Sequence, residues 1–270
     1  MNRYMQNGRV GAFLAVNNGT VEGCVADVSF FSQGGGAGFV YENNAKISNS
    51  VSLRCVKGKQ AKGFYVRNGG TITASGYVAS RKTHKSGKNE MEEYIFGNAE
   101  LYISDDTPTE EILRMLDLDK IWQGTTTRRG GFFPDIVTGM HPISVANDKL
   151  IRLENAEDVK HMIESINSGD KKAASAHYLL TNNIDMKGTH LRPIGDSESY
   201  SFSGKFDGNG KTISNFTTDC RGSEYGGFFG YIQNAEVANL ALDYILKGNG
   251  GVPSAEWQVA SVAANLPTVR

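Results

Sequence analysis

The stretch FSGKFDGNGKTISNF, residues 202–216, carries two readings that lead to different folds. Taken alone it is a hairpin, with short apolar-alternating runs on either side of Asp-Gly and Asn-Gly, the dipeptides that favour tight turns. Its second half, however, recurs in altered form. TISNF from Thr212 matches TVEGC from Thr20, KISNS from Lys46, TITAS from Thr71 and EVANL from Glu236. Ile213 precedes Val237 by 24 residues, which puts TISNF in phase with the repeat that follows it. On this reading Phe202 and Phe206 lie on a strand entering a solenoid and DGNG turns the chain. Ile213 and Phe216 then open the first regular rung.

The same period governs the start of the chain. GAFLAVNNGTVEGCVADV from Gly11, AGFVYENNAKISNSVSLR from Ala37 and KGFYVRNGGTITASGYVA from Lys62 align with Phe13, Phe39 and Phe64 in register, at steps of 26 and 25 residues. GFFGYIQNAEVANLAL from Gly227 repeats the pattern, with Phe229 and Val237 in the Phe and Ile places. A β-branched residue at position two of each pentapeptide suits a short strand. The residue three further on (Cys24, Ser50, Ser75, Phe216 or Leu240) breaks strict alternation and implies a corner. Asn49, Asn215 and Asn239, with Gly23 and Ala74, occupy that corner, where left-handed backbone is needed. NNG, NNA, NGG and QNA, starting at Asn17, Asn43, Asn68 and Gln233, predict a ladder of amides bonded along the stack. Phe13, Phe39, Phe64 and Phe229 predict a stacked interior series rather than a sugar-binding platform.

No unit of this size buries its apolar face alone, and stacking pairs every strand with the rungs above and below. The expected fold is mostly β: a right-handed parallel β-helix with rungs of about 25 residues, interrupted by two short α-helices. A propeller blade needs a period of ~40–50 residues, and leucine-rich repeats need a Leu pattern that is not present. The first helix is predicted from Pro108 to about Leu118, after Thr107 and Glu110 of a capping box. The second has Asn155 as N-cap, Glu157 and Asp158 in its first turn, Val159, Met162, Ile163 and Ile166 as its buried face, and Gly169 beyond its end. Residues 1–139 then read as the end of one β-helical module with a helix-containing tail, and 140–270 as the start of a second. SVAANLPTVR (261–270) resembles an uncompleted rung, the pattern expected of a piece of a longer repeat or of fraying tails.

Composition narrows the function. The formal net charge is −1, without the basic excess that phosphate backbones demand, and RKTHKSGK (81–88) reads as a solvated loop. No stretch approaches the ~18–20 apolar residues of a membrane span, and the N-terminus lacks the h-region of a signal peptide. Cys24, Cys55 and Cys220 fit no zinc or redox spacing and read as buried thiols. His84, His141, His161, His177 and His190 show no metal-ligand spacing. GNGKT (208–212) fails the full phosphate-loop pattern, and QGGGAG (33–38) precedes a strand, not a helix. The candidate acids for glycan chemistry are Asp185, Asp207 and Asp219, with Asp207 read first as a turn former. No catalytic, cofactor-binding or metal residue is assigned.

GFFGYIQNAEVANLAL, together with HYLLTNNIDMKG, RPIG and FSGKFDGNGKTISNF, resembles the GLUG-motif repeat of bacterial surface and secreted proteins. LENAEDVKHMIESINSG resembles the helix before such an array, and KIWQG through GGFFPDI the tail that closes one. The first three rungs lack the Gly after the Phe-containing pair. The resemblance implies an extracellular or cell-surface location, flanking repeats, and adhesion to a glycan or a host or cell-surface protein. It implies no single catalytic mechanism, while the charge and the lack of a long apolar stretch give the expectation of no nucleic-acid partner and no membrane insertion. A carbohydrate-active lyase or hydrolase, or the delivery segment of a larger toxin, are the competing readings, the first of them from fold analogy alone.

Overall fold

A computed structural model of the 270-residue chain describes residues 8–31, 36–53, 61–79, 101–104, 122–126, 132–136, 150–220 and 224–247. The predicted helix from Pro108, the basic loop at 81–88, Cys55, His84, His141 and the stretch 261–270 lie outside them.

The strands are β1 (Arg9–Val10), β2 (Leu14–Glu22), β3 (Val25–Phe31), β4 (Gly36–Ala37), β5 (Val40–Asn43), β6 (Lys46–Ser48), β7 (Val51–Ser52), β8 (Ala61–Lys62), β9 (Tyr65–Asn68), β10 (Thr71–Thr73), β11 (Gly76–Ala79) and β12 (Leu101–Ser104). There follow β13 (Trp122–Thr126), β14 (Phe132–Ile136), β15 (Leu150–Leu153), helices α1 (Ala156–Asn167) and α2 (Lys171–Ala174), then β16 (His177–Leu180), β17 (Ile184–Leu191), β18 (Lys205–Asp219), β19 (Tyr225–Gly226) and β20 (Phe229–Lys247). β13 and β14 pair antiparallel, and every other registered pair is parallel. The chain is therefore the parallel β-helical solenoid that the repeat predicts, with two short α-helices among the described residues.

Its rungs do not stack in chain order. One column of registered residues runs Tyr178, Phe206, Val237, Val21, Ile47 and Ile72, and all of them are buried. The 14-stranded sheet thus passes from β15, β16, β17 and β18 to β20, and from β20 directly to β2 and β3 near the beginning of the sequence. The N-terminal rungs continue it through β6 and β7 to β10, β11 and β12. The described strands from β15 onward and those from β2 to β12 interlock in one stack, apart from the short pairs β1–β19 and β4–β8, with β2 between β20 and β6.

Corners form where the pentapeptides predict them. Gly23, Asn49, Ala74 and Asn239 have φ of 61°, 49°, 45° and 55°, and Asn215 has 58°. The phase assigned to residues 202–216 is corrected. Ile213 pairs with Ile184 and Leu242, while Phe206 is the residue opposite Val237. Asn209 and Gly210, at φ 49° and 59°, make the corner that Asn239 makes one rung later. DGNG is thus the pentapeptide corner, and TISNF lies on the next strand around the same rung. The strand signal was hidden because an aromatic, Phe206, fills the place of the β-branched residue. Nor does this stretch open the first regular rung, since β16 and β17 precede it in the stack.

α1 forms as its caps predict. Asn155 Oδ1 accepts from the Glu157 and Asp158 N–H groups at 2.9 and 3.2 Å, and Asp158 Oδ2 accepts from the Asn155 N–H at 3.2 Å. Val159, Met162, Ile163 and Ile166 enter the main core. Asn167 ties the helix to the solenoid: its amide donates to the Pro193 carbonyl at 2.8 Å and accepts from the Gly195 N–H at 3.0 Å. No helix among the described residues is long and apolar enough to cross a membrane.

Candidate functional site

The amide ladder is buried at Asn17 and Asn43 and reaches the surface at Asn68. Asn17 donates to Asn43 Oδ1 at 2.6 Å, and Asn43 donates to Asn68 Oδ1 at 2.7 Å. Asn17 and Asn43 have no exposed surface, so each side-chain bond removes a buried polar group that would otherwise cost free energy. Gln233 does not join them. One extra residue between Gln233 and Glu236 shifts the register, and Gln233 sits opposite Asn18. A second, outer ladder results: Asn44 donates to Asn18 Oδ1 at 3.0 Å, and Asn18 donates to Gln233 Oε1 at 3.2 Å and to the Tyr231 hydroxyl at 2.8 Å.

This outer ladder borders a face of mixed charge. Glu42 lies between Arg9 and Arg67, at 3.9 and 3.8 Å. Arg9 stands over the Tyr225 ring and Arg67 over Tyr41, at 5.6 and 6.0 Å from the ring centres. Burial pushes the Tyr225 phenol up to about 12 and raises Tyr231 as well, so both hydroxyls stay neutral. Asn44 and Arg67 are exposed. Amide, guanidinium and carboxylate groups one rung apart offer donors and acceptors to a hydroxyl-rich or polar partner lying along the stack.

The phenylalanine series is interior. Phe13, Phe39, Phe64 and Phe229 are fully buried, and the rings of Phe13, Phe39 and Phe64 stack at 4.7 Å spacing. Cys24 and Cys220 are buried and not disulfide-bonded, and burial pushes the Cys24 thiol up to about 12. The Cys24 N–H donates to Ser50 Oγ, and the Ser50 N–H to Ser75 Oγ, at 3.2 and 3.1 Å, so the two serine hydroxyls after the corner each accept from the backbone of the neighbouring rung.

The candidate acids do not converge. Asp207 registers with Leu179 and Ala238, whereas Asp185 registers with Ser214, seven residues further along the same strand as Asp207. Both serve the corners by one construction. Asp207 accepts from the Asn209 N–H at 2.8 Å and from the Asn239 amide of the next rung at 3.0 Å. Asp185 accepts from the Lys187 N–H at 2.8 Å and from the Asn215 amide at 2.9 Å. In each case the residue two past the Asp has positive φ, which bears out the turn expected at Asp207 and adds one at Asp185. Asp219 ends β18 opposite Lys247, and its side chain lies outside the described ones. Gly36 and Ala37 of QGGGAG pair with β8 as a strand, as expected. A further cleft between β15, α1 and α2 is lined by Arg152, Asp158, His161, Asp170, Lys172 and Tyr178, the last donating to the Ala173 carbonyl at 2.9 Å.

The two acids titrate in opposite senses. Desolvation raises Asp207 above the ordinary carboxylate value, partly offset by the bonds from Asn239 and Asn209. The Lys187 N–H, then the Asn215 amide, lower Asp185. The fold therefore holds the Asp207 proton to higher pH than the unfolded chain does, and this share of stability grows as pH falls through that window. Asp185 contributes stability above the ordinary value that is lost as pH falls through its depressed folded value. Asp207→Asn is expected to raise the melting temperature at pH 7, with the difference gone by about pH 3. Asp185→Asn is expected to lower it at pH 7, by a difference that shrinks only as pH falls below the ordinary carboxylate value and through the depressed folded one; thermal melts across the acid range check both signs.

The fold and these faces define a parallel β-solenoid. No family model matches the chain, and no curated protein or solved structure matches it.

Proposed function

We propose that this chain is a non-catalytic β-helical repeat scaffold of a bacterial cell-surface or secreted protein, of the GLUG-motif kind, that binds a glycan or protein partner along its outer polar face. The observation that carries this reading is the outer ladder of Gln233, Asn18 and Asn44 beside Glu42 and Arg67, set at rung spacing on a rigid stack. Asp185 and Asp207, the acids a carbohydrate-active enzyme would need, serve separate corners, which favours binding over catalysis.

A glycan array probed with the intact chain, followed by titration of any ligand found, tests the proposal. Binding that falls at least about tenfold in an Asn44→Ala/Arg67→Ala double variant with an unchanged melting temperature is the expected result, since loss of a charged hydrogen-bonding partner is worth roughly 1.5–3 kcal/mol. Release of new reducing or unsaturated sugar ends by the chain overturns it. So does binding to neither glycans nor cell surfaces, or binding that the double variant leaves intact.

A further inference from the structure

Arg9 and Arg67 converge on a single oxygen. Glu42 Oε2 lies 3.9 Å from Arg9 Nε and 3.8 Å from Arg67 Nη1, beyond the ~2.7–3.2 Å of a hydrogen bond. One carboxylate thus answers two cations and bonds closely to neither. Each guanidinium is steadied by a ring, Arg9 over Tyr225 and Arg67 over Tyr41, which orients its fork of donors without using them. Tyr225 is itself buried and meets Tyr231 edge-on at 5.4 Å. Charge is uneven along this face. Strands β5, β6, β9 and β10 (VYEN, KIS, YVRN and TIT) carry Lys46 and Arg67 against one acid, Glu42. Toward β18 and β20, Lys205 is matched by Glu236 at 3.0 Å, and Glu198 acts on Tyr225 and Tyr231. The positive surplus therefore lies on the Arg67 side of Glu42.

The outer ladder stops at the same place. Asn43 pairs with Asn68, so Gly69 follows Asn44 in the next rung and has no side chain to carry the ladder on. A Cβ at Gly69 would stand 3.7 Å from Asn44 Oδ1, in ordinary contact. The Asn44 amide donates to Asn18 Oδ1 and Glu42 Oε1, at 3.0 and 3.3 Å, while its own oxygen faces the gap. A notch results, with an acceptor at its floor and the exposed Arg67 two residues before Gly69.

We propose that this notch and the two guanidiniums recognise an acidic glycan of the uronic acid class. A carboxylate of the sugar lies against Arg67 and Arg9, and a neighbouring hydroxyl donates to Asn44 Oδ1 in the place a side chain at Gly69 would fill. The inference rests on the glycan-binding reading above and narrows its ligand. A carboxylate matches the planar fork of an arginine two bonds at a time. A neutral sugar leaves the surplus charge unanswered, and a basic partner is repelled by it.

The full chain is titrated with a galacturonic acid hexamer, with the neutral galactose hexamer made from it by carboxyl reduction, and with a galactose hexamer carrying one sulfate per sugar. The acidic hexamer is expected to bind at least about tenfold tighter than the neutral one, since hydrogen bonds to charged groups are the stronger ones. Its affinity falls as salt rises from about 50 to about 200 mM. Glu42→Gln keeps the acceptor for Asn44 and removes the competing charge, so it raises that affinity at least about threefold. Gly69→Asn, at a glycine outside the left-handed region, fills the notch and lowers it at least about fivefold with an unchanged melting temperature. Equal binding of the neutral hexamer, or a fall in affinity with Glu42→Gln, overturns the acidic class and leaves a glycan-binding scaffold in place. Tighter binding of the sulfated hexamer overturns the carboxylate, and binding that Gly69→Asn leaves intact overturns the notch. Binding to none of the three overturns the inference as well, and the glycan array then decides separately whether the broader reading stands.

Discussion

Phe39→Ala is expected to destabilise the solenoid by about 3–5 kcal/mol, more than any single surface change. Phe39 is fully buried, and its ring lies between those of Phe13 and Phe64, tilted only 2° and 5° from them. Truncation leaves a cavity that the rungs on either side cannot close. Their backbones are fixed by the Phe13 N–H to Phe39 carbonyl bond at 2.9 Å and the Phe39 N–H to Phe64 carbonyl bond at 3.1 Å. The lost stacking adds about 0.5–1.5 kcal/mol beyond area burial. Phe39→Leu keeps most of the volume and loses the stack, so it falls between wild type and Phe39→Ala. Denaturant midpoints measure all three, and a loss under about 1 kcal/mol for Phe39→Ala contradicts an interior ladder.

Asn43→Asp is the second large change, although it alters one heavy atom. Asn43 accepts from Asn17 at 2.6 Å and donates to Asn68 Oδ1 at 2.7 Å and to the Ala45 carbonyl at 3.2 Å. A carboxylate still accepts from Asn17, but it turns two acceptors against a buried charge with no donor. Asn43→Ala leaves the amide of Asn17 without its main partner, at about 1–3 kcal/mol for each buried group so left. The expected order of stability at pH 7 is wild type, Asn43→Ala, Asn43→Asp. Acid narrows the gap for the aspartate alone, because its protonated form can donate. Equal stability of wild type and Asn43→Asp at pH 7 contradicts the ladder.

Much of this was legible because single residues carried strong local constraints. Only a few residue types tolerate left-handed backbone, so Gly23, Asn49, Asn215 and Asn239 marked corners. Asn155 and Asp158 marked the start of α1 in the same way. The phase of residues 202–216 was misread because pattern matching favoured Ile213, whereas packing accepts Phe206 in the inward column. The displacement of Gln233 onto the outer ladder came from one inserted residue, with Asn234 at φ 54° taking up the slack. Asn167 gave no signal at all, since its partners, the Pro193 carbonyl and the Gly195 N–H, are backbone groups of a distant loop. The order of the rungs was not legible either. A parallel strand presents the same backbone groups to any neighbour, so short-period repeats specify a rung without naming the one beside it.

That order is the central claim, and paired cysteines test it most directly. Lys205, Glu236, Thr20 and Lys46 register in one column, with Glu236 and Thr20 at the joint between the two sequence segments. Double variants Lys205→Cys/Glu236→Cys, Glu236→Cys/Thr20→Cys and Thr20→Cys/Lys46→Cys, each oxidised as dilute monomers, are all predicted to form intrachain disulfides. Closure of the first and third pairs without the second would leave two separate stacks and contradict a single solenoid.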